Sequence, residues 1–192
     1  MRDVPGEKPL VPVLGRPMID WVLDAVLGAR GVGRLVVSVS GNVPGTAGHL
    51  ERRGIDTVAT TGADYVADLQ HALASLRSSE VLICPADMPL LSTGGVEAVL
   101  SHPRAGVASL SVAVPAALVR SLGAEPSYLL EVEGREVALC GVSVVDREGM
   151  LTGQTLEQGF MVVEDEGFAL NVNTCDELHR AEEMLRRRAG IQ

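Results

Sequence analysis

Lys8 is the one lysine in a chain of 192 residues that uses arginine fifteen times. Arginine carries its charge on a planar fork and lysine on a compact ammonium, so the two are not interchangeable against a ligand. A point charge set against phosphate oxygens is a common reason for a lysine; chance retention under a codon bias toward arginine is the alternative. A second candidate is Asp87, in "VLICPADMPLLS". Apolar residues there carry the chain to a sheet edge, and Pro85 and Pro89 stiffen its exit around the carboxylate. A rigidly held carboxylate suits Mg²⁺, which takes one or two carboxylates and completes its shell with water and substrate phosphates; a turn aspartate or a helix cap is the other reading. In "FALNVNTCDEL", Asn171 and Asn173 alternate with Val172, so both amides leave the chain on one side. They serve either a ligand or metal, or only the entry into the following helix. In "TTGADYVADLQHAL", Thr60, Thr61 and Gly62 end a strand and Asp64 can cap the next helix. Such a junction can receive a phosphate or sugar, or simply start a helix.

Other chemistries find little support. His49, His71, His102 and His179 show no metal-ligand spacing and read as solvent-facing or structural. No serine stands in G-x-S-x-G. Cys84, Cys140 and Cys175 are odd in number and lack a C-x-x-C pair, so neither a disulfide framework nor a zinc site is expected. A formal net charge of −9 and a pI near 4.9 argue against a nucleic-acid binder, which needs a broad basic face. No apolar run approaches the roughly 20 residues of a membrane span, and the first residues do not read as a signal peptide, so a cytoplasmic protein is expected.

These residues need elements to position them. "PMIDWVLDAVLGARG" spaces Met18, Trp21, Val22, Ala25 and Val26 as one face of an amphipathic helix, with Pro17 at its start and Gly31 past its end. "RLVVSVS", "GIDTVAT" and "EVLICPAD" read as short strands separated by the helical stretches "TAGHLERRG" and "DYVADLQHALASLR". Strands alternating with helices imply crossovers and a parallel sheet covered on both faces. "GVASLSVAV" is a further buried strand, and "YLLEVEGREVALCGVSVV" predicts a hairpin around Glu133, Gly134 and Arg135. Thr174 and Glu177 have capping-box spacing at the start of the last helix, whose Arg186, Arg187 and Arg188 read as a solvated end. The expected fold is α/β: a three-layer α/β/α Rossmann-like arrangement on a mixed, mostly parallel sheet, in one domain.

Taken together, "EKPLVPVLGRPMIDWVLDAV", "PADMPLL" and "LNVNTCDEL" resemble three elements of nucleotidyltransferases of the molybdenum-cofactor guanylyltransferase type: the stretch after their signature loop, their metal-binding aspartate motif and their N-x-N-T-x-x-D/E-L element. "SVSGNVPGT", "TTGADYVADLQHAL", "ALCGVSVV" and the C-terminal "AEEMLRRR" are most similar to the archaeal GTP:adenosylcobinamide-phosphate guanylyltransferase family within that group. The resemblance implies a Mg²⁺-dependent transfer of GMP from GTP to a phosphorylated corrinoid, with release of pyrophosphate. It implies catalytic roles for Lys8 and Asp87, with Asp87, Asn171 and Asn173 at the metal. Lys8, Gly62, Asp64 and Asp68 would line the nucleotide side, and Gly141 would let the acceptor approach. Molybdopterin or a sugar phosphate as acceptor, and a catalytically silent nucleotide-binding homologue, are the alternatives.

The sequence departs from that pattern at one place. Such proteins begin with a strand and a G-G-x-G-T-R-M loop whose backbone N–H groups cradle the phosphates, whereas here "MRDVPG" precedes "EKP". With Met1 read as the methionine of that motif, the expectation is a domain without its first strand and loop. Unpaired strand edges, lower stability and a homodimer through exposed apolar edges would follow.

Overall fold

In the computed structural model, which describes residues 6–104 and 106–190, the order of elements alternates as the pattern predicts. A turn of 3-10 helix at Lys8–Leu10 leads into a tiny hairpin of β1 (Pro12–Val13) and β2 (Arg16–Pro17), then α1 (Met18–Leu27). There follow β3 (Val37–Ser40), α2 (Pro44–Arg52), β4 (Thr57–Thr60), α3 (Tyr65–Ala74), β5 (Glu80–Ile83), α4 (Thr93–Ser101) and β6 (Ser109–Pro115). The rest comprises α5 (Ala116–Ser121), β7 (Leu129–Val132), β8 (Arg135–Asp146), α6 (Arg147–Thr152), β9 (Gln158–Val162), α7 (Glu166–Ala169) and α8 (Cys175–Ala189). Met1, read above as part of a glycine loop, lies outside the described residues.

The main sheet has the order β5-β8-β6-β9, with β7 beside the first half of β8. β8 runs antiparallel to β5, β6 and β7, and β6 runs parallel to β9. Four strands therefore point one way and β8 alone opposes them. Between Ser111, opposite Ser143, and Ala113, opposite Leu139, β8 uses more residues than β6. Gly141 sits in this bulge at φ +88°, and a Cβ there would stand 2.8 Å from Pro85 Cγ. Only glycine lets the bulge and the Pro85 exit pack together.

The core explains the helix faces. Met18, Val22, Ala25 and Val26 of α1 join the main cluster, with Val112 and Val114 of β6, Val142 and Val144 of β8, and Ala181 and Met184 of α8. Ile19 and Leu23, on the adjoining stripe, pack instead with Val39 and Leu50. α1 thus bridges two cores because its apolar face is wider than one contact needs. Gln70 Nε2 donates to the Met150 carbonyl at 2.8 Å and Arg147 Nε to the Leu73 carbonyl at 2.8 Å, which ties α6 to α3.

Where α1 meets α2, Asp20 is buried yet charged. Its Oδ1 accepts from Arg53 Nη1 at 2.7 Å and meets His49 Nε2 at 2.8 Å, so His49 is structural. Burial pushes the Asp20 carboxyl up, but the hydrogen bonds and charges of His49 and Arg53 outweigh it and leave it below its ordinary 3.8. A group depressed in this way contributes stability above its ordinary value and loses it as pH falls through the folded value. At pH 7, urea unfolding should place Asp20→Asn about 1–3 kcal/mol below the native chain. That gap should close as the pH drops under about 4.

β3 and β4 pair in parallel with each other as a separate two-stranded sheet. Between β3 and β5 lies an apolar cavity of about 710 Å³, floored by α1 residues such as Val22 and Val26 and walled by Leu69 and Leu73 of α3. Among the described residues, the edges of β3 and β5 that face this slot have no strand partner. Backbone groups on an unpaired edge exchange with water more readily. Amide hydrogen exchange should therefore be faster along the slot-facing amides of β3 and β5 than along β6, which is flanked by β8 and β9. Equal protection would mean that the slot is closed in solution.

Candidate active site

Asp87 is held from several directions. β5 ends at Ile83, and the chain leaves through Cys84, Pro85 and Ala86 to reach it. Beyond it, Met88 and Leu90 are fully buried and the Leu90 carbonyl accepts from Arg188 Nη1 at 2.6 Å. Arg188, read from sequence as part of a solvated helix end, thus reaches back to clamp the aspartate loop. Val172 N–H donates to the Asp87 carbonyl at 2.9 Å. Because Val172 is buried while the strand-like alternation turns its neighbours outward, Asn171 and Asn173 are both delivered to the carboxylate's side.

The side chains then meet across long separations. Lys8 Nζ donates to Asp87 Oδ2 at 2.5 Å and to Asn173 Oδ1 at 2.7 Å. Asn171 Nδ2 donates to Asp87 Oδ1 at 2.9 Å. Lys8 and Asp87 retain 31% and 19% side-chain exposure, so the pair is reachable from solvent. Asn173 is pinned in turn by the final helix: its N–H donates to Glu177 Oε2 at 2.6 Å, alongside the Thr174 N–H at 2.8 Å. Thr174 and Glu177 complete the capping box that their spacing predicts. The cap that starts α8 and the support of Asn173 are one carboxylate.

This donor set can hold a cation. Asp87 Oδ2 and Asn173 Oδ1 converge on the Lys8 ammonium, which marks a point where two hard oxygens favour positive charge. Among the described residues no group of three or more His, Cys, Asp or Glu could enclose a metal. One carboxylate with an amide oxygen nearby, and the rest of the shell left to water and phosphate, is the pattern that fits Mg²⁺. Asn171 meets Asp87 as a donor, so in this arrangement it orients the carboxylate.

The other sequence candidates form a second group at the carboxyl ends of β3 and β4. Asp64 caps α3 by accepting from Val66 N at 2.8 Å and Ala67 N at 3.1 Å. Asp68 reaches back along α3 to accept from Thr61 N at 3.0 Å, Thr61 Oγ1 at 2.9 Å and Gly62 N at 2.7 Å. Burial raises the Asp68 carboxyl, and these hydrogen bonds outweigh it and leave it lowered. Gly62 stands at φ +71°, where a Cβ would come within 2.8 Å of Ser40 Cβ. Asp64 and Asp68 are thus engaged in shaping the turn, and Gly62 lets the ends of β3 and β4 approach.

Glu7, which precedes Lys8, gives no sign of its role in the sequence. Its carboxylate receives the first N–H groups of α2. Cys84, three residues before Asp87, is no nucleophile: burial, with Cys140 and Asp87 nearby, pushes its thiol up to about 12. Burial likewise pushes Cys140 up to about 11. Only thiolates react readily, so iodoacetamide at pH 8 should label one thiol, the exposed Cys175, as counted by intact mass. Labelling of Cys84 in the folded protein would contradict the packing around Asp87.

A lysine, a carboxylate and two amides gather beyond the carboxyl end of one strand of an open α/β sheet, the place where such sheets commonly take ligands. The chain belongs to the MobA-like NTP transferase domain family, whose model matches residues 1–148. It is 25% identical to the adenosylcobinamide-phosphate guanylyltransferase of Methanocaldococcus jannaschii, across 94% of this chain and 90% of the relative. Among solved structures, a CMP:2-keto-3-deoxy-manno-octonic acid synthetase complexed with CTP superposes with a TM-score of 0.72 at 14% identity, covering 94% of this chain and 92% of that one. A hypothetical transferase from Thermus thermophilus superposes with a TM-score of 0.68 at 20% identity, covering 92% of each chain. These two bear on the fold, which is the three-layer nucleotidyltransferase arrangement expected above. The protein is a nucleotidyltransferase. No described helix is long and apolar enough to cross a membrane.

Proposed function

We propose that this nucleotidyltransferase moves GMP from GTP to adenosylcobinamide phosphate, with the Lys8–Asp87–Asn173 cluster as its reaction centre. One observation carries the placement of the chemistry: a lone lysine bonded to both an aspartate and an asparagine far away in sequence. The acceptor is supported by similarity to a relative of that name along nearly the whole of both chains.

In this reading an acceptor phosphate oxygen attacks the α-phosphorus of GTP in line. The bond from that phosphorus to the bridging oxygen breaks, and pyrophosphate leaves carrying the electron pair. No enzyme group becomes covalently attached. Such a transfer depends on positioning and charge stabilisation. Lys8 sets its ammonium against the phosphates, where negative charge is gathered. Asp87 and Asn173 would hold Mg²⁺, which when bound neutralises phosphate oxygens and orients them. Asn171 fixes the rotation of the Asp87 carboxylate. The Gly62 turn, shaped by Asp64 and Asp68, serves the nucleotide side, and the Gly141 bulge the acceptor side.

The test is pyrophosphate release by the purified chain with Mg²⁺, each of GTP, ATP, CTP and UTP, and each candidate acceptor. Release with GTP and adenosylcobinamide phosphate is the expected result. Release only with molybdopterin or a sugar phosphate would reassign the acceptor, and none with any pair would leave a silent nucleotide-binding homologue. Asp87→Ala should lower kcat/KM by roughly 10²–10³-fold, the scale of losing one strong electrostatic group, with unchanged circular dichroism. Lys8→Arg should lose activity on a similar scale despite its charge, since a planar fork cannot reproduce the position of a compact ammonium.

A further inference from the structure

Lys8 stands on a single turn of 3-10 helix, Lys8–Leu10, which is too short to hold a long side chain in place by itself. One flank of the turn is secured by packing, with Leu10 lying against the cluster of Ile19, Leu23, Val39 and Leu50. The other flank is Glu7. Its carbonyl accepts from Leu10 N–H at 2.9 Å to close the turn. Its carboxylate leaves the turn altogether and grips the start of α2: Oε1 accepts from Gly45 N at 2.7 Å, and Oε2 accepts from both Thr46 N and Thr46 Oγ1 at 2.5 Å. α2 has no capping side chain of its own, since Val43 occupies that position. The first donors of a helix seek an acceptor and favour negative charge. A carboxylate 38 residues away meets both needs.

Resting on the proposed role of Lys8, we propose that Glu7 is the positioning residue for that lysine: it anchors the lysine turn to the first turn of α2 and so aims the ammonium at the reaction centre. The local sequence agrees with this use. Gly45 is the residue opposite Oε1, and a Cβ there would stand 3.0 Å from it, so a side chain would push the carboxylate away. Thr46 is buried and turns its hydroxyl to Oε2. The Thr46 hydroxyl, against the cost of burial, and the N–H groups of Thr46 and Gly45 hold the Glu7 carboxyl below its ordinary 4.5. The clamp has a second consequence. α2 follows β3 directly, a junction where a helix N-terminus commonly receives phosphate, and here that N-terminus is already occupied by the protein's own carboxylate.

The test is a double-mutant cycle read by calorimetric titration with GTP and Mg²⁺. Lys8→Ala should weaken binding by about tenfold or more, the loss of one charge-assisted contact. Glu7→Gln, which puts an amide where two oxygens were needed, should weaken it by roughly five- to tenfold in the native background and by less than about twofold on top of Lys8→Ala. Thr46→Val removes one of the three hydrogen bonds and should give a smaller loss with the same dependence on Lys8, which keeps the test available if Glu7→Gln folds poorly. Equal losses in both backgrounds would show that Glu7 only supports α2 and would overturn the proposal, as would no loss at all. Unchanged binding by Lys8→Ala would instead remove the reading of Lys8 on which the proposal rests.

Discussion

The contact between the Lys8 ammonium and Asp87 is the constraint around which the described parts of the site are arranged. It joins positions 79 residues apart, and neither partner is held by its own segment. Lys8 is on a turn anchored by Glu7 and Leu10, and Asp87 is on a loop gripped by Met88, Leu90, Val172 and Arg188. A half-exposed ion pair adds little stability by itself, typically below about 1 kcal/mol. Its geometry is therefore a result of the surrounding packing. Burial of Leu90 and Val172 and the reach of Arg188 place the carboxylate, and the charge pair records how accurately they do so.

An acidic protein that handles polyanions must prevent its own carboxylates from repelling them. With a formal net charge of −9, the chain manages this by local use. Glu7 is taken up by the first N–H groups of α2, Asp64 by those of α3, Asp68 by Thr61 and Gly62, and Glu177 by Asn173 and Thr174. A carboxylate that accepts several N–H bonds has its charge offset by aligned dipoles. Asp87 differs: its partners are a lysine and an amide, groups that a ligand or cation can displace or join.

Among the described residues, β3 and β4 stand apart from the main sheet. β3 and β4 form their own pair, and the apolar slot beside them separates that pair from β5. Side chains from α1 and α3 close over the slot from both faces, so the helices hold the two pieces together where hydrogen bonds between strands do not. The region that carries the Gly62 turn thus depends on side-chain packing for its place relative to Asp87. In a continuous sheet, backbone pairing would set that distance.

Much of this was legible in the residues alone, because it is local. Sequence pattern predicts α1, α2, α3 and strands β3 to β8, the Thr174–Glu177 spacing predicts the capped start of α8, and the Asn-Val-Asn alternation predicts that both amides face one way. The type of Lys8, alone among fifteen arginines, singles it out as a candidate. What the sequence could not determine are distances between distant segments. That Asn171 orients Asp87 as a donor, that Arg188 turns back to Leu90, that Glu7 caps a helix 38 residues on and that β9 completes the sheet beside β6 all arise from tertiary packing. A carboxylate beside a lysine in sequence gives no sign of which N–H group it will find, because that choice depends on how two separately formed elements pack. Composition and spacing determined which side chains were available; the packing of α1, α2, α8 and the Asp87 loop decided which of them meet.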